Sequence, residues 1–222
     1  MSLPALTGAV LFDLDGTLVD SLGDIAAALN HALASVGQRT LSEDAVRACI
    51  GEGARHLVEQ ALPIEAREPA VIDEALGLYR ARYRANLVVR TRAYPGLEAL
   101  ALSLRARGAP LGVVTNKPHA PACEIVERIF GAGLFGVVIG EAEGRPRKPD
   151  PAPVRLALES LGATLEGAVL VGDSAIDLET ARRAGIRGIG VAWGIRGRGE
   201  LESVEGAEIV DDVAALARAL GL

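Results

Sequence analysis

Six short runs of apolar residues recur along this chain of 222 residues, at 9–12, 111–114, 137–139, 168–171, 188–191 and 208–210. Strands that are buried on both faces have continuous apolar sequence, whereas half-exposed strands alternate with polar residues. Three of the intervening segments, 97–107, 152–161 and 176–184, are each followed by a glycine, as helices commonly are. Helices that alternate with buried strands predict a parallel sheet covered on both faces.

Residues 21–92 interrupt this alternation, because they contain helical patterns and no convincing strand. Ser21 and Asp24 have the spacing of a capping box at the start of the first such helix. We therefore predict an α/β fold. Its Rossmann-like parallel core comprises residues 1–20 and 93–222, and an all-helical cap domain is inserted at 21–92.

The charge balance of the chain excludes some partners. There are 23 Lys and Arg residues against 29 Asp and Glu, which gives a formal net charge of −6. Sequence-independent binding to nucleic acid or to an anionic membrane needs a cationic surface, so we expect neither as a partner. No apolar run approaches the ~18 residues that span a bilayer, and no signal-peptide pattern opens the sequence. We expect a cytoplasmic protein.

Polar side chains follow the predicted strands at their carboxyl ends, where ligands bind in open α/β sheets. They are Asp13 and Asp15 after the first strand, Thr115 and Asn116 after the second, Lys148 in a loop with two prolines, and Asp173 and Asp177 after the fourth. A single pair of aspartates would also fit a solvated turn. Their recurrence at several strand ends favours a functional site.

Four aspartates at one edge of a sheet cannot all stay ionised without a cation. Carboxylate oxygens suit Mg²⁺, which is often shared with a substrate phosphate. An aspartate can itself attack phosphorus and give an aspartyl-phosphate that water hydrolyses. A second acid can protonate the leaving alcohol and then deprotonate the attacking water. The sequence thus predicts a Mg²⁺ site for a small phosphorylated metabolite.

These residues resemble the motifs of a known family. The matching strings are, in order, Asp13-x-Asp15-Gly16-Thr17, Thr115-Asn116, Lys148-Pro149 and Gly172-Asp173-x-x-x-Asp177. They are similar to the four motifs of the haloacid dehalogenase-like superfamily, over residues 10 to about 194. Phosphatases of that superfamily carry an acid at the position of Asp15, which haloacid dehalogenases lack. The resemblance therefore implies a phosphatase, and residues 21–92 are similar to the four-helix cap of many members.

Within the superfamily, the chain resembles bacterial phosphoglycolate phosphatases. This implies 2-phosphoglycolate or a similar small phosphometabolite as substrate, with Asp13 as nucleophile and Asp15 as general acid and base. It also implies that Mg²⁺ is held by the Asp13 carboxylate, the Asp15 backbone carbonyl and Asp173, and that Asp177 lies behind these ligands or contacts the ion directly in some members. Thr115, Asn116 and the catalytic Lys148 would hold the phosphoryl oxygens.

Arg55 is the candidate for binding the rest of the substrate. It follows two glycines that permit a tight turn, and its guanidinium group suits a substrate carboxylate. A solvated surface arginine is the alternative. Arg80 and Arg84 share a helical face, but Arg82 does not, so we interpret that basic run as solvated cap surface.

Other functions fit the same motifs. A phosphomutase would use the same nucleophile and return the phosphoryl group to another hydroxyl, and a phosphatase could act on a sugar phosphate. A non-catalytic scaffold that binds phosphorylated ligands is disfavoured, because it need not keep Asp15. We keep a homodimer as an alternative to a monomer.

Overall fold

The structure, a computed structural model, describes residues 8–222 and contains a six-stranded parallel sheet. The central strand β1 (Val10–Phe12) lies between β4 (Leu111–Pro118) and β6 (Val169–Gly172). Strand β5 (Val137–Glu141) flanks β4, while β7 (Arg187–Val191) and β8 (Glu208–Val210) extend the other side. The order is β5-β4-β1-β6-β7-β8, and every pairing is parallel. The predicted α/β core is confirmed, and each apolar run lies largely within a strand.

Both faces of the sheet are buried. Val10 and Phe12 belong to one hydrophobic cluster and Ala9 and Leu11 to another, because successive strand residues point to opposite faces. The core helices are α5 (Leu97–Ala106), α6 (His119–Phe130), α7 (Ala152–Ser160), α8 (Ala175–Ala184), α9 (Arg198–Glu202) and α10 (Val213–Ala219). This arrangement explains why the strands are apolar throughout rather than alternating.

The segment between the first strand and the rest of the core is helical, as predicted. It contains α1 (Leu22–Ser35), α2 (Glu43–Arg47), α3 (Ala54–Ala61), a short 3₁₀ turn (Ile64–Ala66) and α4 (Pro69–Ala85). The capping box predicted at Ser21 is wrong. The Ser21 hydroxyl donates to Asp15, and the Asp24 carboxylate accepts from the hydroxyl and backbone N–H of Thr91, so both side chains bind residues outside the helix instead.

The two stretches of chain that lead into and out of the helical segment lie side by side. They form an antiparallel ribbon of β2 (Val19–Asp20) and β3 (Arg92–Ala93), which the sequence did not predict. We propose that the cap, residues 21–92, begins and ends at this ribbon. Within residues 8–222, no helix is both long enough and apolar enough to cross a membrane.

Candidate active site

The carboxyl ends of the three central strands bring the motif residues together. Asp13 directly follows β1, and Asp173 directly follows β6 beside it. On the other side of β1, strand β4 continues beyond its apolar run to Pro118. Thr115, Asn116 and Lys117 are therefore residues of the strand itself, and all three are buried.

Lys148 is a buried cation that joins two of the aspartates. Its Nζ lies 2.7 Å from Oδ1 of Asp13 and 2.6 Å from Oδ1 of Asp177. The second oxygen of Asp177 accepts from the hydroxyl and the backbone N–H of Ser174 at the start of α8. Burial alone would lower the pKa of Lys148, but the two ion pairs raise it above its usual value. Lys148 is therefore charged at neutral pH.

Asp173 lies against the first turn of the motif that contains Asp13. One of its oxygens accepts from the Thr17 hydroxyl at 3.2 Å, and the other accepts from the backbone N–H of Arg196 at 3.2 Å. Gly16 has φ of +89°, and a Cβ atom there would overlap the Asp173 carboxylate. Glycine at this position is thus required both by the backbone conformation and by the close approach of Asp173.

The carboxylates of Asp13, Asp173 and Asp177 carry more charge than Lys148 balances. One oxygen of each lies within 4.8 Å of the others. Burial, together with the charges of Asp13 and Asp177, raises the pKa of Asp173 to about 8. Burial also raises the pKa of Asp13 to about 6, against the opposing effect of Lys148. This oxygen-rich, over-charged cluster fits a divalent metal ion, which would favour the ionised forms of Asp13 and Asp173.

The side chain of Asp15 points away from this cluster. Its two oxygens each lie 2.8 Å from Nζ of Lys117, and Oδ1 also accepts from the Ser21 hydroxyl at 2.6 Å. A metal contact by Asp15 would therefore involve its backbone carbonyl, as the resemblance implies. Lys117 was not among the predicted site residues, although its place directly after Asn116 in a site strand was a usable signal.

The Asn116 side chain forms hydrogen bonds within the protein that position Lys148. Its Oδ1 accepts from the backbone N–H of Lys148 at 2.8 Å, and its Nδ2 donates to the carbonyl oxygens of Lys148 and Gly51. The Thr115 hydroxyl accepts from the backbone N–H of Lys117 at 3.3 Å. Both side chains lie at the cavity, and the predicted phosphoryl contacts of Thr115 and Asn116 remain predictions.

The structure does not bring Arg55 to the site. Its Nη1 lies 2.6 Å from Oδ1 of Asp73, the side chain is about half exposed, and Arg55 does not line the cavity. The reason is the orientation of α3, whose buried face carries Ala54, Leu57 and Val58. Arg55 lies off that face, so the predicted contact with a substrate carboxylate is not supported by its position.

A cavity of about 280 Å³ lies between the core and the cap. The core contributes Asp13, Asp15, Thr115, Asn116, Lys117, Lys148 and Asp173, and the cap contributes Ile50, Leu57, Tyr79, Arg80, Tyr83, Arg84 and Leu87. Arg80 and Arg84 are exposed residues of α4 that line this cavity. The exposure of both arginines agrees with their interpretation as solvated cap surface, and the structure adds that this surface borders the cavity.

A comparison with protein-family models decides the identity of the fold. The model for haloacid dehalogenase-like hydrolases matches residues 10–191. The chain belongs to this family. The predicted resemblance to this family is thereby confirmed.

Curated relatives place this haloacid dehalogenase-like hydrolase among phosphatases. It is 38% identical to the phosphoglycolate phosphatase of Rhodospirillum rubrum, over 96% of this chain and 90% of the relative. It is 37% identical to that of Neisseria meningitidis, over 84% of this chain and 80% of the relative. A crystal structure described as a predicted phosphoglycolate phosphatase from Haemophilus somnus superposes with a TM-score of 0.88 at 30% identity, covering 96% of this chain and 98% of that one. The protein is a phosphatase.

Proposed function

We propose that this phosphatase hydrolyses 2-phosphoglycolate through an aspartyl-phosphate on Asp13, with the aid of Mg²⁺. The observation that carries the proposal is the environment of Asp13. Lys148 donates to its Oδ1, while Oδ2 takes no side-chain hydrogen bond from any residue in the described range 8–222. One oxygen is thus fixed by a buried cation, and the other is available to attack phosphorus.

The reaction divides into two displacements at phosphorus. In the first, Asp15 takes up a proton from solvent, an oxygen of Asp13 forms a bond to phosphorus, the bond to the leaving-group oxygen breaks, and Asp15 gives its proton to that oxygen. In the second, Asp15 accepts a proton from water, the water oxygen bonds to phosphorus, and Asp13 is released with inorganic phosphate. Lys148 holds Asp13 in place throughout and balances the charge that collects around the phosphoryl group.

The residues that would hold Mg²⁺ are Asp13, Asp173 and the backbone carbonyl of Asp15. When bound, the ion neutralises phosphoryl charge and orients the group for displacement. Asp177 is already committed through both oxygens, to Lys148 and to Ser174. We therefore assign Asp177 mainly to positioning Lys148.

Two observations support a small acidic phosphate ester as substrate. The relatives from Rhodospirillum rubrum and Neisseria meningitidis are named phosphoglycolate phosphatases. The cavity of about 280 Å³ is at the small end of ligand pockets, and exposed arginines of the cap line it. Together, the names of these relatives and the arginines at the cavity favour 2-phosphoglycolate over a neutral phosphate ester.

The test is phosphate release with a panel of esters and added Mg²⁺, and with excess chelator. The panel contains 2-phosphoglycolate, ethyl phosphate, glycerol phosphate and hexose phosphates, and the products are also examined for isomerised esters. We expect fastest hydrolysis of 2-phosphoglycolate and none with chelator. Isomer formation without phosphate release would indicate a phosphomutase, and tight binding without any turnover would indicate a scaffold.

Metal affinity should depend on pH because Asp173 must lose its proton to bind a cation. With a metal-free pKa of about 8 for this group, the Kd for Mg²⁺ should weaken about tenfold for each pH unit below 8. Calorimetric titration at pH 6, 7 and 8 in buffers of different ionisation enthalpy should show proton release that grows as the pH falls. A constant Kd with no proton release would contradict this. Asp173→Asn is the control that removes the titrating group.

Replacing Arg80 and Arg84 together with alanine should raise the KM for 2-phosphoglycolate about tenfold at low salt, with kcat unchanged, because exposed cations attract an anionic substrate. The effect should shrink at high salt, where exposed charges are screened. Arg55→Ala is the matched control, since it removes a cap arginine outside the cavity. An equal, salt-independent rise in KM for both variants would show that the α4 pair has no special role.

A further inference from the structure

Lys117 is a buried lysine that is paired with Asp15, the proposed general acid and base of the reaction. Its side chain is 4% exposed, and its Nζ contacts both oxygens of Asp15. The same Nζ lies 4.6 Å from the centroid of the Tyr83 ring, which belongs to cap helix α4. A buried ammonium group needs an anionic partner or close hydrogen bonds. Lys117 therefore holds Asp15, the proposed acid and base of the reaction, in an ion pair.

Tyr83 presents a second polar group with no partner. The residue is 4% exposed, and its hydroxyl oxygen has no hydrogen-bond partner within residues 8–222. Its ring is fixed by parallel stacking on Tyr79, with centroids 5.5 Å apart, and both tyrosines line the cavity. A buried hydroxyl that forms no hydrogen bond is costly, so the Tyr83 hydroxyl is a candidate hydrogen-bonding group for a ligand in the cavity.

The other cations that line the cavity either already have partners within the protein or are exposed to solvent. Lys148 bridges Asp13 and Asp177, and Arg196 is bound to Glu200 and to the carbonyl of Ile50. Arg80 and Arg84 are exposed, so water competes for their hydrogen bonds. Lys117 is thus the buried cavity cation best placed to exchange one carboxylate for another without a large change in charge.

We propose that Lys117 and the Tyr83 hydroxyl bind the carboxylate of the substrate, and that this carboxylate replaces Asp15 as the partner of Lys117. The exchange frees the oxygens of Asp15 to turn toward the leaving-group oxygen, while Ser21 can still hold one of them. A substrate without a carboxylate cannot drive this exchange. The inference rests on the proposed function. It makes Lys117 responsible both for selecting substrates that carry a carboxylate and for releasing Asp15 to act as acid and base.

The test compares 2-phosphoglycolate with ethyl phosphate, in which a methyl group replaces the carboxylate. Losing one charge-assisted hydrogen bond should lower the ratio of their kcat/KM values roughly 10- to 150-fold in Lys117→Met, and about tenfold in Tyr83→Phe. Tyr94→Phe, outside the cavity, is the control. Tyr83→Phe removes a hydroxyl without an internal partner, so it should fold normally.

An unchanged selectivity ratio in Tyr83→Phe would overturn the proposal, as would equal losses for both esters in Lys117→Met. Calorimetry in an Asp13→Asn background also measures the Kd values of 2-phosphoglycolate and ethyl phosphate, and their ratio gives the binding selectivity. Selective weakening of 2-phosphoglycolate binding there would support the carboxylate site even if turnover assays showed another substrate and so contradicted the proposed function. Unchanged binding selectivity would overturn it in either case.

Discussion

Replacing Asp13 with asparagine should abolish turnover, because the amide keeps the shape of the side chain but is not a nucleophile. The loss should be at least as large as the ~10²–10⁴-fold typical of removing a general acid or base. We expect Asp15→Asn to lie within that range for 2-phosphoglycolate, whose alcohol leaves only when protonated. The measurement is steady-state phosphate release at saturating Mg²⁺.

Asp20→Asn is the matched control for these variants. Asp20 is an exposed acid just beyond the same motif, and its carboxylate accepts from the backbone N–H of Leu22. Its replacement should leave the rate near the native value. Circular dichroism should show that all three variants are folded. Near-native rates for Asp13→Asn would exclude covalent catalysis by this residue.

Replacing Lys148 with methionine should lower both activity and stability. The substitution leaves the buried carboxylates of Asp13 and Asp177 without their shared cation, and breaking a buried ion pair by removing one partner costs about 3–5 kcal/mol. Loss of a preorganised charge next to the reacting group should lower kcat about 10²–10³-fold. Stability is measured by urea unfolding of the metal-free protein at neutral pH, and activity by phosphate release.

The pH dependence of this stability loss has a definite sign. Without Lys148, the pKa of Asp13 should rise further, so the folded state binds more protons than the unfolded state. Unfolding free energy then falls as the pH rises, and the defect of the variant should be smaller at pH 5 than at pH 7. Arg128→Met, which breaks the exposed pair with Glu124, should cost at most about 1 kcal/mol at either pH. If Lys148→Met lost no more unfolding free energy than Arg128→Met, a structural role for the contacts of Lys148 with Asp13 and Asp177 would be contradicted.

The parallel core could be predicted because its strands are buried on both faces and so have no polar alternation. The runs at residues 9–12 and 168–171 show this most clearly, and the acids that follow them locate the site. These features depend on local sequence and on the rule that ligands bind at the carboxyl ends of strands.

The cap side of the site could be predicted only in part. The buried positions Ala54, Leu57 and Val58 already define the inner face of α3, and that pattern would have placed Arg55 outside it. The contact of Lys117 with Asp15, in contrast, joins residues 102 positions apart, and no local pattern reveals it. Orientation of α4 toward the cavity, which makes Tyr83 and Arg84 part of its lining, likewise follows from packing of the cap on the core.

The most direct test of the account is detection of the phosphoryl group on Asp13. p-Nitrophenyl phosphate is the substrate of choice, because its leaving group needs no protonation and only the second step then requires Asp15. Asp15→Asn should release a burst of nitrophenol, and acid quenching followed by peptide mass spectrometry should show one phosphoryl group on Asp13 that hydroxylamine removes. Continued phosphate release with no phosphorylated Asp13, or with the phosphoryl group on another residue, would contradict nucleophilic catalysis by Asp13.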